Sequence, residues 1–396
     1  MLMPTRPGSR SDEAVIEGRR STASKPAPAP LARLFEHAGV EVNGSAAWDL
    51  QLHDRAAWGR MLRHGTPGFG ESYMDGQWDC ERLDTLVCRL LRANADRVVT
   101  PLSLPGWLSQ VMRHGLMNLQ TVSRAFHVAR QHYDIGNDLF AAMLDSQMVY
   151  SCAYWARASD LEGAQRDKLD LIGRKLELRP RERLLDVGCG WGGLAAHAAR
   201  HFGCQVTGAT VSHEQAALAR ERCADLPVEI ALADWRSLAG RYDKVVSVGM
   251  FEHVGQKNYR AYFRRMRELV EPEGLFLLHT IGSSRTERAT NAWTERYIFP
   301  NGKLPSAIEI ARAAEGLFII EDWHNFGHDY DRTLMAWWER FARAWPSLQG
   351  RYDERFFRMW KFYLLSSAGF FRSRQGQLWQ IVLTPRERST GYRSVR

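Results

Sequence analysis

Between residues 184 and 279 the chain alternates short apolar runs with longer segments whose apolar residues recur at helical spacing. The apolar runs predict strands at 184–187, 205–208, 228–231, 244–248 and 275–279. The segments between them predict helices at 193–201, 213–222 and 258–270. Because strands and helices alternate, this part of the chain is predicted to form an α/β fold with a doubly wound, parallel sheet.

Residues 31–118 have a different pattern and no glycine-rich nucleotide loop, and they predict a smaller α+β domain. Its predicted elements are strands at 39–42 and 46–52, a turn-rich segment at 65–78, and helices at 83–93 and 104–119. Residues 1–30 are rich in Ser, Arg, Pro and Ala and predict a disordered tail. The α/β domain is assigned to 119–396, with an amphipathic helix at 166–176 before its first strand.

Glycine and polar residues follow the predicted strands at their carboxyl ends. They are Gly188, Thr210, Asp234, Trp235 and the segments 249–253 and 279–282. In an open parallel sheet, ligands bind in the crevice outside these strand ends. The pattern therefore predicts an active site along this edge of the sheet.

The most informative segment is Asp-Val-Gly-Cys-Gly-Trp-Gly-Gly at 186–193, between the first strand and the first helix of this region. Glycine permits backbone angles that a side chain forbids, and it lets a ligand lie against the main chain beside a helix N-terminus. The spacing differs from the dinucleotide fingerprint Gly-x-Gly-x-x-Gly. It resembles the first motif of S-adenosylmethionine-dependent methyltransferases, although an ordinary strand-to-helix turn is the structural alternative.

Two nucleotide-like ligands compete for such a loop, NAD(P) and S-adenosylmethionine. A dehydrogenase is expected to place an acid for the ribose at the end of the second strand, and the segment 207–212 contains no acid. Asp234 and Trp235 after the third strand suit an adenine amino group and a stacked ring. We therefore expect S-adenosylmethionine. The segment 248–255 also lacks the Asn/Asp-Pro-Pro-aromatic motif that is typical of enzymes that methylate nucleic-acid amines.

Charge and cysteine content narrow the partners and the compartment. The formal net charge is +8, which indicates nucleic acid or an anionic membrane surface as the partner. Residues 351–396 hold ten Lys or Arg against three acids, although a solvated basic face is an equal alternative. Without the nucleic-acid motif we assign the charge to phospholipid and expect no nucleic-acid partner. The six cysteines lack Cys-x-x-Cys spacing, so we expect no metal, no disulfide framework and a reducing cytoplasm.

Several stretches together resemble one family, the bacterial cyclopropane-fatty-acyl-phospholipid synthases. The stretches are 150–155, 185–193, 246–255, 279–283, 297–302, 321–327 and 377–382. The resemblance is dense over residues 126–384 and looser before them. It implies a Rossmann-like doubly wound methyltransferase sheet, in a catalytic domain over 119–396, and an N-terminal domain over 31–118 that binds lipid or dimerises.

The resemblance implies that a methylene carbon of S-adenosylmethionine is added to the cis double bond of an unsaturated acyl chain in a phospholipid. The resulting carbocation loses a proton to bound bicarbonate, and a cyclopropane ring closes. The implied bicarbonate ligands are Cys152, Glu252, His279, Tyr330 and the backbone N–H of Ile281. Glu321 is expected to support Tyr330 or the cation. A small anion suits this chemistry because a strong protein nucleophile beside a carbocation would itself be alkylated.

The resemblance also implies which residues surround the S-adenosylmethionine. They are Tyr150, Ser151, Asp186, Gly188, Gly190, Trp191, Gly192, Thr210, Ser212, Gln215, Asp234, Trp235 and Arg236. In this set Gln215 is expected to bind the ribose hydroxyls, which an acid binds in other families. Some family members carry a cysteine in the segment 365–370, where Ser366 and Ser367 stand here, so no cysteine at that place can be essential in this protein.

We expect peripheral association with the inner face of the membrane, phospholipid with unsaturated acyl chains as the partner, and a homodimer. The segment 355–365 is predicted to be an amphipathic helix that lines an acyl tunnel, with Arg372 and Arg374 near lipid phosphates; plain core packing is an equal alternative. Two other functions stay open at this stage. One is a related methyltransferase that stops at a methyl or methylene branch or acts on a small amine, and the other is a lipid-binding scaffold with an inactive catalytic domain.

Overall fold

In the computed structural model the described residues are 27–95, 135–287 and 291–396. The N-terminal part of the described chain is largely helical. Its elements are α1 (Ala29–Ala38), β1 (Gln51–Leu52), α2 (Ala56–His64), α3 (Thr66–Met74), β2 (Trp78–Asp79) and α4 (Leu83–Arg92). The two short strands pair antiparallel. The predicted tail up to residue 26 and the predicted helix at 104–119 lie outside the described residues.

A seven-stranded sheet forms the centre of the larger part of the chain. Its strands are β3 (Arg183–Val187), β4 (Gln205–Thr210), β5 (Val228–Leu232), β6 (Tyr242–Val248), β7 (Val270–Ser283), β8 (Phe318–Asn325) and β9 (Gly376–Pro385). Their spatial order is β5-β4-β3-β6-β7-β9-β8. The first five strands in this order run parallel, and β9 pairs antiparallel with β7 and with β8.

The remaining helices pack around this sheet and against the N-terminal helices. They are α5 (Asn137–Met143), α6 (Leu161–Lys175), α7 (Gly193–Phe202), α8 (His213–Arg222), α9 (Tyr259–Leu269), α10 (Ala292–Tyr297), α11 (Ala307–Ala314), α12 (His328–Leu348) and α13 (Glu354–Arg372). Within the described ranges, no helix is long and apolar enough to cross a membrane.

The predicted α/β fold is confirmed, and all five predicted strands are present. The sequence missed β8 and β9, and it placed only 275–279 in a strand that extends from Val270 to Ser283. The order reverses between β3 and β6, because β4 and β5 lie on one side of β3 while β6 and β7 lie on the other. The ligand crevice of such a sheet lies at this reversal, outside the carboxyl ends of β3 and β6.

The secondary structure predicted for the N-terminal part was wrong in three places, and in one of them the strand predicted at 46–52 is limited to Gln51 and Leu52. The segment 39–42 is not a strand, because Gly39 adopts φ +62° and ends α1 in the left-handed conformation. The segment 65–78 is not mainly turns but contains α3, in which glycine serves helix packing. A Cβ on Gly68 would lie 2.0 Å from the Arg60 carbonyl oxygen, so only glycine lets α2 and α3 approach so closely.

The N-terminal helices pack on α13, and one hydrophobic cluster includes residues of both parts. A Cβ on Gly369 of α13 would lie 2.5 Å from the Asp84 carbonyl oxygen, which shows how close α13 and α4 are. Basic residues of α13 pair with acids of the N-terminal part: Arg355 with Asp75 at 2.9 Å and Arg358 with Asp79 at 2.8 Å. The basic face of this helix is therefore used largely within the fold.

Arg372 does not have the surroundings expected of a residue that contacts lipid phosphates. Its guanidinium bridges Asp84 of α4 and Asp331 of α12, with 2.8 Å between Nη2 and the Asp331 Oδ1 atom. This guanidinium already has two carboxylate partners, and it ties three helices together. The predicted helix at 355–365 is present within α13, and its role in an acyl tunnel stays a prediction.

Candidate active site

A cavity opens at the sheet edge between β3 and β6, where the strand order reverses. It is lined by eleven of the thirteen residues predicted to bind the cofactor: Tyr150, Ser151, Asp186, Gly188, Gly190, Trp191, Thr210, Gln215, Asp234, Trp235 and Arg236. Lys168, His253 and Met250 also line it. The tertiary structure thus brings the ends of four strands and the segment before α6 together around one space.

The glycine-rich loop forms the floor of this cavity. Gly188 has φ +90° and Gly190 has φ +55°, angles that residues with a side chain rarely adopt. The N–H groups of Gly188 and Cys189 both donate to the Ala209 carbonyl at 2.9 Å, which ties the loop to β4. The loop leads directly into the N-terminus of α7, whose unpaired N–H groups and dipole favour an anionic ligand group.

Two residues predicted to contact the cofactor support the cavity wall without lining it, and their contact with the cofactor stays a prediction. Gly192 is the N-cap of α7 with φ +81°, and a Cβ on it would lie 3.1 Å from the Cys223 sulfur. Ser212 is the N-cap of α8, and its hydroxyl accepts a hydrogen bond from the Gln215 N–H at 3.2 Å. The amide oxygen of Gln215 accepts from the Thr210 hydroxyl at 2.8 Å, so Ser212 and Thr210 together orient Gln215.

Asp186 is a buried acid at the end of β3 that faces the cavity. It is 1% exposed, and its Oδ2 atom has no hydrogen-bond partner. Burial raises the pKa of this carboxyl to about 7, while the nearby positive charge of Lys168 acts in the opposite direction. A buried acceptor without a partner is costly, so this atom fits the cationic amino group of a bound amino-acid moiety.

Asp234 and Arg236 form an ion pair beside Trp235 at the end of β5. The Arg236 guanidinium donates to the Asp234 carboxylate at 2.9 Å and lies over the Trp235 ring, 4.4 Å from its centroid. The Asp234 carboxylate is thus already engaged by Arg236 and by the Arg236 backbone N–H. An adenine ring at this place would contact the Trp235 indole, which Arg236 also contacts through a cation–π interaction.

Glu252 lies in a short 3₁₀ turn, Phe251–His253, directly after β6. Its Oε1 atom accepts from the Ile281 N–H at 2.7 Å, and its buried Oε2 atom has no partner. Burial raises the pKa of Glu252 to about 7, while the Ile281 amide acts to lower it. The Ile281 amide was expected to be available to an anion, and the structure instead gives it to Glu252.

His279 is buried in β7 on the same face as Ile281, two residues away. Its Nδ1 atom lies 3.3 Å from the Gln380 side-chain nitrogen of β9, and its Nε2 atom has no partner. Burial, together with the positive charges of Lys168 and Lys175, holds the pKa of His279 well below its ordinary value. The imidazole is therefore neutral at physiological pH.

Cys152 is a fully buried thiol held against the start of α12. Its sulfur lies 4.0 Å from the Thr333 hydroxyl, and burial raises its pKa well above the ordinary value. The Thr333 hydroxyl also accepts from the Ala153 N–H at 3.1 Å. The Asp329 carboxylate accepts from the Trp155 N–H at 2.7 Å. Since Tyr330 follows Asp329, the same helical turn places Cys152 and Tyr330.

Aromatic contacts connect two of the predicted catalytic side chains, His279 and Tyr330, to neighbouring segments. The Phe326 ring, just before α12, lies 5.9 Å from the His279 ring and 5.3 Å from the Tyr154 ring. Tyr330 is buried one turn further along and packs on the Trp337 ring at 5.9 Å. Trp337 in turn lies 5.1 Å from Tyr150 of the cofactor cavity. Through Trp337, Tyr330 is therefore connected to the wall of the cavity.

Glu321 is not brought to this group. It lies in β8, and its Oε1 atom accepts from the Thr384 hydroxyl of β9 at 2.7 Å. In the sheet register, Ile320, which precedes Glu321, pairs with Leu383 of β9, and Leu383 pairs with Phe276 of β7. Phe276 comes three residues before His279 in β7. In the structure Glu321 links two sheet strands, and the expectation that it supports Tyr330 or the cation stays a prediction without a contact behind it.

The sequence reasoning missed three residues that the site contains: Lys168, Thr333 and Gln380. Lys168 and Gln165 fall on the apolar stripe of α6, among Leu161, Ala164, Leu169 and Ile172. A charge at such a position is a usable signal, because a buried lysine is rare unless it serves a partner. Nothing in the sequence pattern marks Thr333 or Gln380, since their roles depend on contacts with distant segments.

The sheet order, the glycine loop and the cavity at the switch point together define an S-adenosylmethionine-dependent methyltransferase. Residues 120–381 match the family model of mycolic acid cyclopropane synthetase. The chain belongs to this family, to which the cyclopropane-fatty-acyl-phospholipid synthases are related. It is an enzyme that uses S-adenosylmethionine.

Relatives and solved structures agree with this assignment. The cyclopropane-fatty-acyl-phospholipid synthase of Escherichia coli K12 is 50% identical over 354 residues, which cover 89% of this chain and 91% of the relative. The tuberculostearic acid methyltransferase UfaA1 of Mycobacterium tuberculosis is 36% identical and covers 82% and 80% of the two chains. The structure of the cyclopropane synthase MmaA2 from Mycobacterium tuberculosis aligns with a TM-score of 0.63 at 29% identity, over 67% of this chain and 99% of that one. The mycolic acid cyclopropane synthase CmaA1, complexed with SAH and CTAB, aligns with a TM-score of 0.61 at 30% identity, over 65% and 97%.

Replacing Gly188 by Ala is expected to weaken binding of S-adenosylhomocysteine by about tenfold, since positive φ angles cost a side chain roughly 1–2 kcal/mol. The new Cβ would also lie 2.8 Å from the Met250 Cβ, which lines the cavity. Isothermal titration calorimetry measures the change. The control is Gly350→Ala, where a Cβ meets nothing within 4 Å. Equal affinities of both variants and the wild type would contradict a ligand-binding role for this loop.

Proposed function

We propose that this enzyme adds the methylene carbon of S-adenosylmethionine to the cis double bond of unsaturated acyl chains in membrane phospholipids, which forms a cyclopropane ring. One observation carries the proposal. Glu252 Oε2 and His279 Nε2 are buried polar atoms without partners. Glu252 lies in the turn that follows β6, and His279 lies in the neighbouring parallel strand β7, level with Val248 at the end of β6. Buried polar groups are normally paired, so these two orphans support a small polar ligand beside them.

Bicarbonate fits this group chemically. It offers both a hydroxyl and carboxylate oxygens, so it can pair with an acid and with a donor at once. We propose that Cys152, Glu252, His279 and Tyr330 hold it, and that the Ile281 amide acts mainly through Glu252. When bound, bicarbonate supplies an acceptor for the proton that the methylated acyl carbocation must lose before the ring closes.

The protein side chains have separate tasks in this proposal. A neutral His279 directs one ring nitrogen into the site while the other faces Gln380. Because the pKa of Glu252 is about 7, its carboxyl is partly protonated near neutral pH. It donates a hydrogen bond when protonated and accepts one when ionised. Cys152 stays a thiol, because burial opposes the thiolate. This suppresses alkylation of the protein, since the thiolate is the nucleophilic form.

We further propose that the enzyme works at the inner face of the membrane as a homodimer. The positive net charge of +8 supports attraction to anionic lipid headgroups. The N-terminal part, over 31–118, is the proposed lipid-binding or dimerisation domain. The described helices of this N-terminal part pack on α13. The proposed lipid contact therefore falls on the surfaces of the N-terminal part that face away from α13.

The test is incubation with S-adenosylmethionine and vesicles of unsaturated phospholipid, followed by mass spectrometry of the released acyl chains. The expected product is heavier than the substrate chain by one CH₂ unit, with the olefin lost. The same enzyme incubated with vesicles of saturated phospholipid is the control and is expected to give no transfer. Clean S-adenosylmethionine binding without transfer to either lipid would point to another acceptor.

A second candidate is a methyltransferase that leaves a methyl or methylene branch, which the similarity to a tuberculostearic acid methyltransferase favours. The two candidates share the carbocation and differ in its fate. A methylene branch retains an olefin, a methyl branch requires a reduction, and a cyclopropane ring retains neither an olefin nor a need for reductant. Proton NMR of the product acyl chain distinguishes the three outcomes.

A further inference from the structure

We propose that Lys168 is the cation that retains bicarbonate in the active site, through its charge rather than as one of the anion's immediate ligands. This inference rests on the bicarbonate role proposed above. It assigns a function to a buried lysine for which neither the fold nor the cofactor motifs account.

Lys168 is placed between the cofactor cavity and the catalytic group. It lies on the buried face of α6 and is 1% exposed. Its ammonium donates to the Ser151 hydroxyl at 3.0 Å, and it lines the cavity together with Asp186. Because Ser151 directly precedes Cys152, this hydrogen bond brings the charge next to the loop that carries the thiol.

The position of this lysine is fixed by a second side chain of the same helix. The Gln165 amide donates to the carbonyls of Val149 and Ser151, at 3.1 Å and 2.9 Å. Helix α6 therefore holds the segment from Val149 to Ser151 through three hydrogen bonds, all from one face. The distance between the ammonium and the Cys152 loop is set by this packing and not by a flexible side chain.

Lys168 is not neutralised by a close carboxylate. Across the described parts of the chain it forms no salt bridge, and its hydrogen-bond partner is the neutral Ser151 hydroxyl. The nearest acids act on it only at longer range: Asp145, whose carboxylate accepts from the Val149 and Gln147 amides, and Asp186. A buried charge without a paired counter-ion is expensive and is usually retained for a function.

The proposed bicarbonate ligands provide no positive charge of their own. They comprise a thiol, a carboxyl, a phenol and an imidazole that burial keeps neutral. An anion taken from water into such a site needs a compensating cation. The hydrogen bond from Lys168 to Ser151 places its charge next to Cys152, the first of the proposed ligands.

A second buried lysine is less suited to this task. Lys175 also acts on His279, and it is fully buried on the same helix two turns further along. Its ammonium, however, lies 3.3 Å from the Asp322 carboxylate and 3.1 Å from His324 Nδ1. Lys175 thus has a close counter-ion, which it shares with Arg396, whereas Lys168 has no carboxylate at salt-bridge distance in the described part of the chain.

The test compares Lys168→Met, Lys168→Arg and the control Lys257→Met, a substitution of an exposed lysine. Two quantities are measured in carbonate-depleted buffer with bicarbonate added back: the bicarbonate concentration that gives half-maximal rate, and bicarbonate binding to the enzyme–S-adenosylhomocysteine complex by NMR of isotopically labelled bicarbonate. Affinity for S-adenosylhomocysteine is measured by calorimetry.

We expect Lys168→Met to weaken bicarbonate binding by about tenfold or more, which corresponds to about 1.4 kcal/mol, and to change S-adenosylhomocysteine affinity much less. Lys168→Arg, which keeps the charge, is expected to retain most of the bicarbonate affinity. Its retained affinity would show that a substitution at this buried position does not unfold the site. A loss of S-adenosylhomocysteine affinity with unchanged bicarbonate binding would assign the charge to the cofactor carboxylate and overturn the inference. If the wild-type enzyme itself neither binds nor responds to bicarbonate, the proposed function fails first, and this inference with it.

Discussion

The Glu252→Gln variant is expected to lose roughly a hundred- to ten-thousand-fold in kcat, the range typical of a positioned acid–base group. Gln keeps the volume of the side chain and an oxygen that accepts from the Ile281 N–H, so the 3₁₀ turn is expected to stay in place. It removes the carboxyl whose Oε2 atom faces the site without a partner. The measurement is steady-state turnover on phospholipid vesicles, with calorimetric affinity for S-adenosylhomocysteine as the control. Cofactor affinity that falls as far as turnover would contradict the proposed role of Glu252.

The same variant is expected to be more stable than the wild type above neutral pH. The pKa of Glu252 is about 7 in the folded protein against an ordinary value of 4.5, so the unfolded chain releases this proton at lower pH. The wild type therefore loses stability as the pH rises from about 4.5 through 7, by at most about 3 kcal/mol. Thermal melts at pH 5 and pH 8 test this sign: Glu252→Gln should gain on the wild type between them. The ionisable carboxyl that the proposed reaction needs therefore lowers the folding stability of the enzyme above neutral pH.

The Arg372→Ala variant is expected to lose about 1–3 kcal/mol of unfolding free energy, because it removes a charged hydrogen-bond partner from buried Asp84 and from Asp331, while Arg82 still pairs with Asp84. Asp84 is 1% exposed, and its carboxylate is shared by Arg82 and Arg372. Burial acts to raise the pKa of Asp84, and these two guanidinium groups hold it below its ordinary value. Urea denaturation followed by tryptophan fluorescence gives the free energy.

Two further variants separate the ion pair from a general loss of packing. Arg374→Ala is the matched control, and the change expected for a surface substitution is within about 0.5 kcal/mol. Combining Arg372→Met with Asp84→Asn removes both charges, so the double variant is expected to be more stable than Arg372→Met alone. Equal destabilisation by Arg372→Ala and Arg374→Ala would mean that the link between α4, α12 and α13 does not depend on this charge.

Much of the fold and of the cofactor cavity was predictable because the signals are local. Strand and helix periodicity gave the five parallel strands, and the glycine spacing at 186–193 located the loop. Eleven of the thirteen predicted cofactor residues line the cavity. The two that do not, Gly192 and Ser212, cap helices, and capping and ligand contact favour the same residue types at the same strand ends.

The errors arose where packing overrides local preference. Glycines 68 and 70 suggested turns, yet they allow a helix to pack closely on its neighbours. Glu321 lies in one of the stretches that carry the family resemblance, yet it falls where the register between β8 and β9 shifts, and it accepts a hydrogen bond from Thr384. Arg372 belongs to a basic helix that resembles a lipid-binding surface, yet two acids from distant segments occupy its guanidinium.

The sequence by itself determined the class of fold, the cofactor loop and the family, since each depends on spacing within a short stretch. Only the tertiary structure decided which polar atoms lack partners. The Ile281 amide donates to Glu252 Oε1, so that Glu252 Oε2 and His279 Nε2 remain without partners. The ammonium of Lys168 lies on Ser151, next to Cys152. Hydrogen bonding and desolvation are properties of the assembled interior, where segments more than a hundred residues apart meet. The glycine loop therefore identifies the cofactor, whereas the proposed chemistry rests on the packing around it.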